Sequence, residues 1–141
     1  MVVRLLGMRS TRNRPWIWLG GVVIAHLAIS VLHGAAHAQA HVPMSRAANM
    51  FVFVIILAGP VIGLAWTLRS RRIGAWLIGV TMATSFLFGF VNHFVLASPD
   101  HVSHVDPRWQ PLFAATAVLL AVMEAIGSGL AIRIVRQRRF T

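Results

Sequence analysis

The sequence predicts an all-α integral membrane protein, a bundle of four transmembrane helices with both termini in the cytoplasm. Of its 141 residues 57% are hydrophobic and only 11% are charged. The apolar residues form four long runs, and about 20 helical residues are enough to cross a hydrocarbon core roughly 30 Å thick. Backbone groups in lipid must find hydrogen-bond partners within their own segment, so each run is expected to be helical. We expect residues 1–141 to form a single domain.

Four spans are predicted from these runs, at residues 16–38, 49–68, 73–97 and 111–132. Pro60, between Gly59 and Gly63, should kink the second span or open its backbone hydrogen bonding. In the fourth span a small residue recurs every four positions, which predicts a face for close helix packing. These small residues are Ala117, Ala121, Ala125 and Gly129.

The arginines predict the orientation of the bundle. All 13 basic residues are arginines, and two of them, Arg46 and Arg108, lie on the predicted outer side. By the positive-inside rule the remaining arginines face the cytoplasm, across a bacterial-type inner (plasma) membrane. Arginines in short breaks between spans contact lipid headgroups, so no nucleic-acid partner is expected despite the net charge of +10. The cytoplasmic set is Arg4, Arg9, Arg12, Arg14, Arg69, Arg71, Arg72, Arg133, Arg136, Arg138 and Arg139.

A cleaved signal peptide is the alternative interpretation of residues 1–40. The arginine-rich start, the apolar run and the sequence Ala38-Gln39-Ala40 fit that pattern. Against it, the run is longer than the usual apolar region of a signal peptide and is interrupted by His26. A retained first span is therefore the favoured interpretation.

Two short similarities suggest a duplicated helical hairpin. The motif Trp18-Leu19-x-Gly21 recurs as Trp76-Leu77-x-Gly79. Residues 41–43 (His-Val-Pro) recur loosely at residues 104–107 (His-Val-Asp-Pro), each before a span that enters from the outer side. The two hairpins would then be related by an axis along the membrane normal.

The first span has three histidines on one face. His33 and His37 follow His26 by seven and eleven residues, and at about 100° per residue these offsets return to nearly the same direction. His33 and His37 are also four residues apart, a spacing at which two imidazoles on one helix can bind one ion. Ionisable side chains in a bilayer usually face a partner, a water-filled cavity or a ligand.

His93 and the loop after it add further candidate ligands on the outer side. His93 lies near the outer end of the third span, at about the depth of His33. Nitrogen and oxygen ligands without sulfur suit Zn, Cu(II) or Fe, and one histidine from each of two helices could instead bind a b-type haem. The predicted ligand set is His33, His37 and His93, with His101, His104, Asp100 and Asp106 as contributors from the loop.

A second polar layer is predicted deeper in the bundle. Glu124 is the only acidic residue within a span, and His26 lies at a similar depth in the first span. A pair between them would lower the cost of burying either one. The pair could serve as a proton relay or as a structural clamp between helices, and a protonated Glu124 bonded to Ser128 is a further possibility.

Three functions follow from these patterns. The first is an outward-facing histidine site for a transition metal ion or haem, serving metal handling or a membrane redox complex. The second is a proton-coupled carrier of a small solute or ion that uses His26 and Glu124. The third is a non-catalytic accessory subunit, and a homo-oligomer or a larger membrane complex is expected in any case. An enzyme is the least favoured function, because the sequence shows no recognisable arrangement of a catalytic nucleophile and a base.

Overall fold

The computed structural model describes residues 14–137, which form four long helices and no strands within that range. The helices are α1 (Arg14–Gln39), α2 (Arg46–Trp66), α3 (Arg71–Val95) and α4 (Gln110–Arg136). Each is long and apolar enough to cross a membrane, which confirms the predicted four-helix architecture of a multi-pass membrane protein. Five of the arginines used to predict orientation lie outside the described residues: Arg4, Arg9, Arg12, Arg138 and Arg139.

Serine caps explain where the helices depart from the predicted spans. The Ser45 side chain accepts a hydrogen bond from the Ala48 backbone N–H (3.1 Å), so α2 begins three residues before the predicted position. Ser70 accepts from the Ile73 N–H (3.4 Å) and starts α3 at Arg71. Capping satisfies backbone donors that the hydropathy pattern does not register, so the helices include polar residues at their ends.

Neighbouring helices run antiparallel in the order α1, α4, α3, α2. His26 meets Glu124 and His33 meets Thr116, which fixes the antiparallel pairing of α1 with α4. The α3–α4 interface is the most extensive, and α2 packs chiefly against α3. Contact between α1 and α2 is sparse, so the two sequence hairpins α1–α2 and α3–α4 pack differently. Their common origin stays a prediction.

Two stretches of π-helix interrupt the regular bonding. In α2 the π-helical segment Val52–Ala58 ends two residues before Pro60, and the Gly59 N–H donates to the carbonyl of Val54, five residues back. The sequence predicted opened bonding at this proline. In α3 the last turn, Val91–Val95, is also π-helical, with the Leu96 N–H donating to Val91 O (2.8 Å). Such segments change the direction of side chains and often occur at functional sites.

Close helix approach occurs at glycines other than the one in the predicted stripe. A Cβ on Gly74 of α3 would lie 2.6 Å from the Gly63 carbonyl oxygen of α2, so these backbones touch. On α4 the close approach is at Gly127, which faces Met82. Gly129 has no heavy atom within 4 Å of an added Cβ among the described residues. The prediction that Gly129 belongs to the packed face of α4 was therefore wrong by two positions, because the buried face of α4 turns toward Glu124 and Gly127.

The two ends of the bundle differ in chemistry. At one end Trp16 packs beneath the Arg71 guanidinium, 5.9 Å from ring centroid to Cζ. At the opposite end lie His37, His93 and the 96–109 loop. Large apolar side chains cover the outer surface between the ends, as expected where helices contact lipid. The histidines are thus concentrated away from the arginine-rich end.

Candidate metal centre

Three histidines from two helices meet near the loop end of the bundle. One nitrogen from each of His33, His37 and His93 lies within 4.8 Å of the corresponding nitrogens of the other two. All three side chains are largely buried, with 7%, 9% and 7% of their surface exposed. The α-helical spacing of four places His33 above His37 on α1, and the π-helical end of α3 supplies His93. This is the group that the sequence predicted as helix-borne ligands.

The 96–109 loop fixes the orientation of His93. Its Nδ1–H donates to the main-chain carbonyl oxygen of Asp100 (3.0 Å), and a carbonyl oxygen can only accept. The Val102 N–H donates back to the His93 carbonyl (3.0 Å), which holds the loop over the end of α3. With the proton on Nδ1, a neutral His93 has its lone pair on Nε2.

Thr116 of α4 fixes His33 in the same way. The Thr116 hydroxyl donates to the Leu112 carbonyl (2.7 Å), a common arrangement of threonine inside a helix. Its oxygen is therefore the acceptor for the Nδ1–H of His33, at 2.8 Å. The lone pair of a neutral His33 is consequently on Nε2 as well.

The Nε2 atoms of His33 and His93 face each other, and when both rings are neutral neither atom carries a hydrogen. His33 Nε2 lies 3.2 Å from His93 Nε2, which brings two lone pairs together in a buried place. A cation between them would turn this repulsion into attraction. Two nitrogens bound tetrahedrally to one ion, each at about 2.0–2.1 Å, are roughly 3.3 Å apart. The observed separation matches that geometry.

Asp100 and the third histidine complete the cluster. Asp100 Oδ1 lies 3.3 Å from His37 Nε2 and 3.3 Å from His93 Nδ1. Within residues 14–137 this oxygen and His37 Nδ1 are both buried without a hydrogen-bond partner. Buried polar atoms are rarely left in this state, so each has capacity for a further ligand. A carboxylate touching ligand histidines also orients them and raises their basicity.

Phe113 forms an apolar wall behind the imidazoles. Its ring is fully buried, with centroids 4.8, 4.7 and 5.2 Å from those of His33, His37 and His93. Ala36 and Val105 pack around it, the latter from the loop. Low polarity on this side strengthens electrostatic interactions within the cluster and excludes water.

A cavity of about 340 Å³ opens beside the cluster and extends toward the middle of the bundle. It is bounded by all four helices and lies where α1 and α2 separate. Its walls are mostly apolar, with a few polar side chains converging on it, as is typical of small-molecule sites. The polar residues that line it are His33, His37, His93, Asp100 and Asn49 toward the loop end, and Ser30, Ser85 and Glu124 deeper in the bundle.

The deeper polar layer pairs α1 with α4. His26 Nε2 lies 3.2 Å from Glu124 Oε1, and the exposed fractions of the two residues are 0% and 3%. Ser128 donates to the Glu124 main-chain carbonyl (2.7 Å), not to its carboxyl group. The carboxyl of Glu124 is thus available to His26 on one side and to the cavity on the other.

The loop residues predicted as ligands lie outside the cluster, except for Asp100. His104 Nδ1–H donates to the Ser98 carbonyl (2.7 Å), and His101 Nδ1 accepts from the Ser103 backbone N–H (3.2 Å). Asp106 accepts from the Arg108 N–H (2.8 Å), which shapes the turn before α4. In the described part of the chain the metal-ligand grouping contains helix-borne histidines alone. The loop side chains make local bonds because turn geometry brings those partners closest.

Two contributors were not identified from the sequence, Thr116 and Phe113. Both lie in the first two turns of α4, at the depth where α4 passes the end of α1. Thr116 could have been found from its spacing. It lies eight residues before Glu124, and His33 lies seven residues after His26, so in an antiparallel pair of helices Thr116 comes beside His33 when Glu124 is beside His26. Phe113 has no comparable signal, since one aromatic residue in an apolar run is ordinary.

Comparison of the chain with protein-family models, with curated proteins and with solved structures gave no match. The site itself is therefore the basis for function: a buried cluster of three histidines that could hold a metal ion, within a bundle of four membrane-spanning helices.

Proposed function

We propose that this protein binds one transition metal ion through His33, His37 and His93 and acts in metal handling in the membrane. The observation that carries the proposal is the 3.2 Å approach of the His33 and His93 Nε2 atoms, because the hydrogen bonds at both Nδ1 atoms leave Nε2 without a proton when the rings are neutral. A metal ion removes this repulsion and uses the unpartnered nitrogen of His37 as well. Metal-binding histidines typically donate their other N–H to an oxygen, as His33 and His93 do.

A bare ion fits this cluster better than a haem. Axial imidazoles approach haem iron from opposite faces, so their ligand atoms would be roughly 4 Å apart, twice a metal–nitrogen distance of about 2 Å. The 3.2 Å separation between the Nε2 atoms is shorter and leaves no room for a porphyrin plane between them. We therefore assign the ligand as an ion.

Zinc is the ion that best suits the donor set, with Cu(II) and Fe(II) as competitors. Three imidazoles, an adjacent carboxylate and no sulfur donor favour borderline divalent ions. Asp100 Oδ1 lies 3.3 Å from His37 Nε2 and 3.3 Å from His93 Nδ1, the ring nitrogens that are not assigned to the ion, so we assign it as an outer partner that orients these two ligands. We favour handling over electron transfer because the cluster adjoins a cavity of about 340 Å³, which an electron-transfer centre would not need.

The arginine distribution supports an outward-facing site. Arg69, Arg71 and Arg72 lie in or beside the α2–α3 connection, at the end of the bundle opposite the cluster. If this end is cytoplasmic, the histidine cluster lies close to the outer surface. Metal would then enter from outside, past the 96–109 loop.

Metal analysis of the full-length protein in detergent tests the proposal. We expect one Zn²⁺ per chain after dialysis against a weak chelator. Replacement by Co²⁺ should give the intense visible bands of a tetrahedral site with nitrogen ligands. The variant H33A/H93A should lose at least about 100-fold in Zn²⁺ affinity, since even outer partners of ligands contribute 10–100-fold.

The matched control is H101A/H104A, which also removes two histidines but from the loop outside the cluster. It should bind Zn²⁺ as the unmodified protein does. Substoichiometric metal in the unmodified protein, or equal loss in both double variants, would overturn the proposal.

A further inference from the structure

The metal cluster leaves one buried ionisable pair unused, and the same cavity reaches it. His26 and Glu124 lie seven residues from His33 and eight from Thr116 along their helices, roughly 10–12 Å deeper at 1.5 Å per residue. Glu124 lines the deep end of the cavity, whereas His26 is fully buried behind it. Any proton exchanged by the pair therefore passes through the Glu124 carboxyl group.

The pair is suited to hold a single proton. The 3.2 Å contact between His26 Nε2 and Glu124 Oε1 needs one hydrogen between them, carried either by the ring nitrogen or by the carboxyl oxygen. The pair is neutral overall when His26 Nδ1 also carries a hydrogen, whether the shared hydrogen belongs to the ring or to the carboxyl group. Loss of one proton from the neutral pair would leave a carboxylate beside a neutral imidazole, a net charge of −1 in a membrane interior. Such a charge is stable there only with a compensating cation nearby.

The histidine cluster is the one place at that distance where the described structure gathers ligands for a cation. Along α2 the sequence has no ionisable side chain between Arg46 and Arg69, and along α3 none between Arg72 and His93. On α1 and α4 the groups that face the pair are the cluster histidines, with Asp100 above them at the cavity end. The charge state of the pair is therefore governed mainly by what the cluster holds.

We propose that the His26–Glu124 pair holds a proton and that a divalent cation bound in the histidine cluster causes the pair to release it. Metal binding and proton release are then coupled through the cavity that both sites border. The inference rests on the proposed metal site. As the ion enters, one proton leaves the pair to water through the cavity. Glu124 becomes a carboxylate and His26 stays neutral. The +2 charge of the bound ion is thus partly offset by the +1 charge of the proton that leaves the pair. Interaction between a divalent charge and a proton about 10 Å apart, at an effective dielectric constant near 20, corresponds to a coupling on the order of 100-fold.

Counting protons released on metal binding tests this coupling. Zn²⁺ is titrated calorimetrically into the full-length protein in detergent, at one pH, in two buffers of different ionisation enthalpy. We expect the E124Q variant to release about one proton fewer per Zn²⁺ than the unmodified protein. Its Zn²⁺ affinity should also depend less steeply on pH, by about tenfold per pH unit, because one competing proton is gone.

The matched control is D106N, the same acid-to-amide change at a turn residue outside the cavity. It should release as many protons as the unmodified protein. If E124Q does not fold, the double variant H26L/E124L takes its place, since replacing both partners of a buried pair by apolar residues leaves no uncompensated charge.

Each outcome decides a different question. Equal proton release by the unmodified protein and by the folded pair variant overturns the coupling and leaves the metal site intact. Absence of Zn²⁺ binding in the unmodified protein overturns the metal site, and the coupling with it. A proton deficit confined to E124Q or H26L/E124L, with D106N unchanged, supports the coupling.

Discussion

The two polar layers of this bundle differ in where their buried side chains find hydrogen-bond partners. In the deep layer His26 and Glu124 satisfy each other across 3.2 Å with one shared hydrogen. In the upper layer His33 and His93 are each satisfied outward, by Thr116 and by the Asp100 carbonyl, and face each other with two lone pairs. The deep pair satisfies its facing atoms, and within the described residues His26 Nδ1 is its one ring nitrogen without a hydrogen-bond partner. Between neutral rings the upper layer offers two lone pairs to a cation, whereas the deep layer offers none between its facing atoms.

Breaking the deep pair should have the largest effect on stability. Replacing Glu124 by leucine leaves His26 buried without its partner. Loss of one member of a buried ion pair costs on the order of 3–5 kcal/mol. Equilibrium unfolding in mixed micelles of E124L against unmodified protein measures this cost. The double variant H26L/E124L should recover most of it, and a loss below about 1 kcal/mol in E124L would show that the pair is not mutually satisfied.

Loosening the upper layer should affect metal affinity more than stability. In Thr116→Val the shape of the side chain is kept, but the acceptor that holds the proton on His33 Nδ1 is removed. We expect Zn²⁺ binding to weaken by about 10–100-fold, the range for outer partners of metal ligands. Competition titration against a chelating dye measures this change.

The control for this variant is Thr84→Val, because the Thr84 hydroxyl donates to the Val80 carbonyl of its own helix (2.8 Å). Its Zn²⁺ affinity should be unchanged. Equal weakening in both variants would mean that loss of a helical threonine, and not of the His33 acceptor, causes the effect.

The smallest effect is expected where α2 meets α3, away from both polar layers. Gly74→Ala forces the helices apart, since the new Cβ would lie 2.6 Å from the Gly63 carbonyl oxygen. Overpacking of this kind costs about 1–3 kcal/mol. Thermal unfolding should detect it, while Zn²⁺ stoichiometry stays at the unmodified value because α2 supplies no ligand to the cluster. Gly21→Ala, with open space around its Cβ, is the control.

The fold was predictable from the sequence because membrane spans need long, uninterrupted apolar runs, and four such runs are present. Helix ends were less predictable, since Ser45 and Ser70 cap through local hydrogen bonds that hydropathy ignores. The π-helical segment in α2 could be anticipated from Pro60. The segment that carries His93 contains no proline, so the sequence does not indicate it.

The sequence predicted those parts of the site that follow from spacing along one helix or from the depth of a residue within the predicted spans. His33 and His37 share a face by their spacing, and equal depth joined them to His93. The sequence could not distinguish Asp100 from Asp106 within one loop, because the path of the loop decides which carboxylate turns inward. That path depends on bonds such as Val102 N–H to His93 O, which form between backbone groups of any residue type.

The contact from Asp100 to His93 Nδ1 has a consequence for genetics. The accepting atom is a main-chain carbonyl oxygen, so every residue at position 100 would present it. Side-chain substitutions at position 100 would therefore leave this hydrogen bond in place, while removing the Asp100 carboxylate from His37 and His93. The carbonyl contact itself depends on loop length, because an insertion or deletion between residues 96 and 100 would move the Asp100 carbonyl away from the His93 ring.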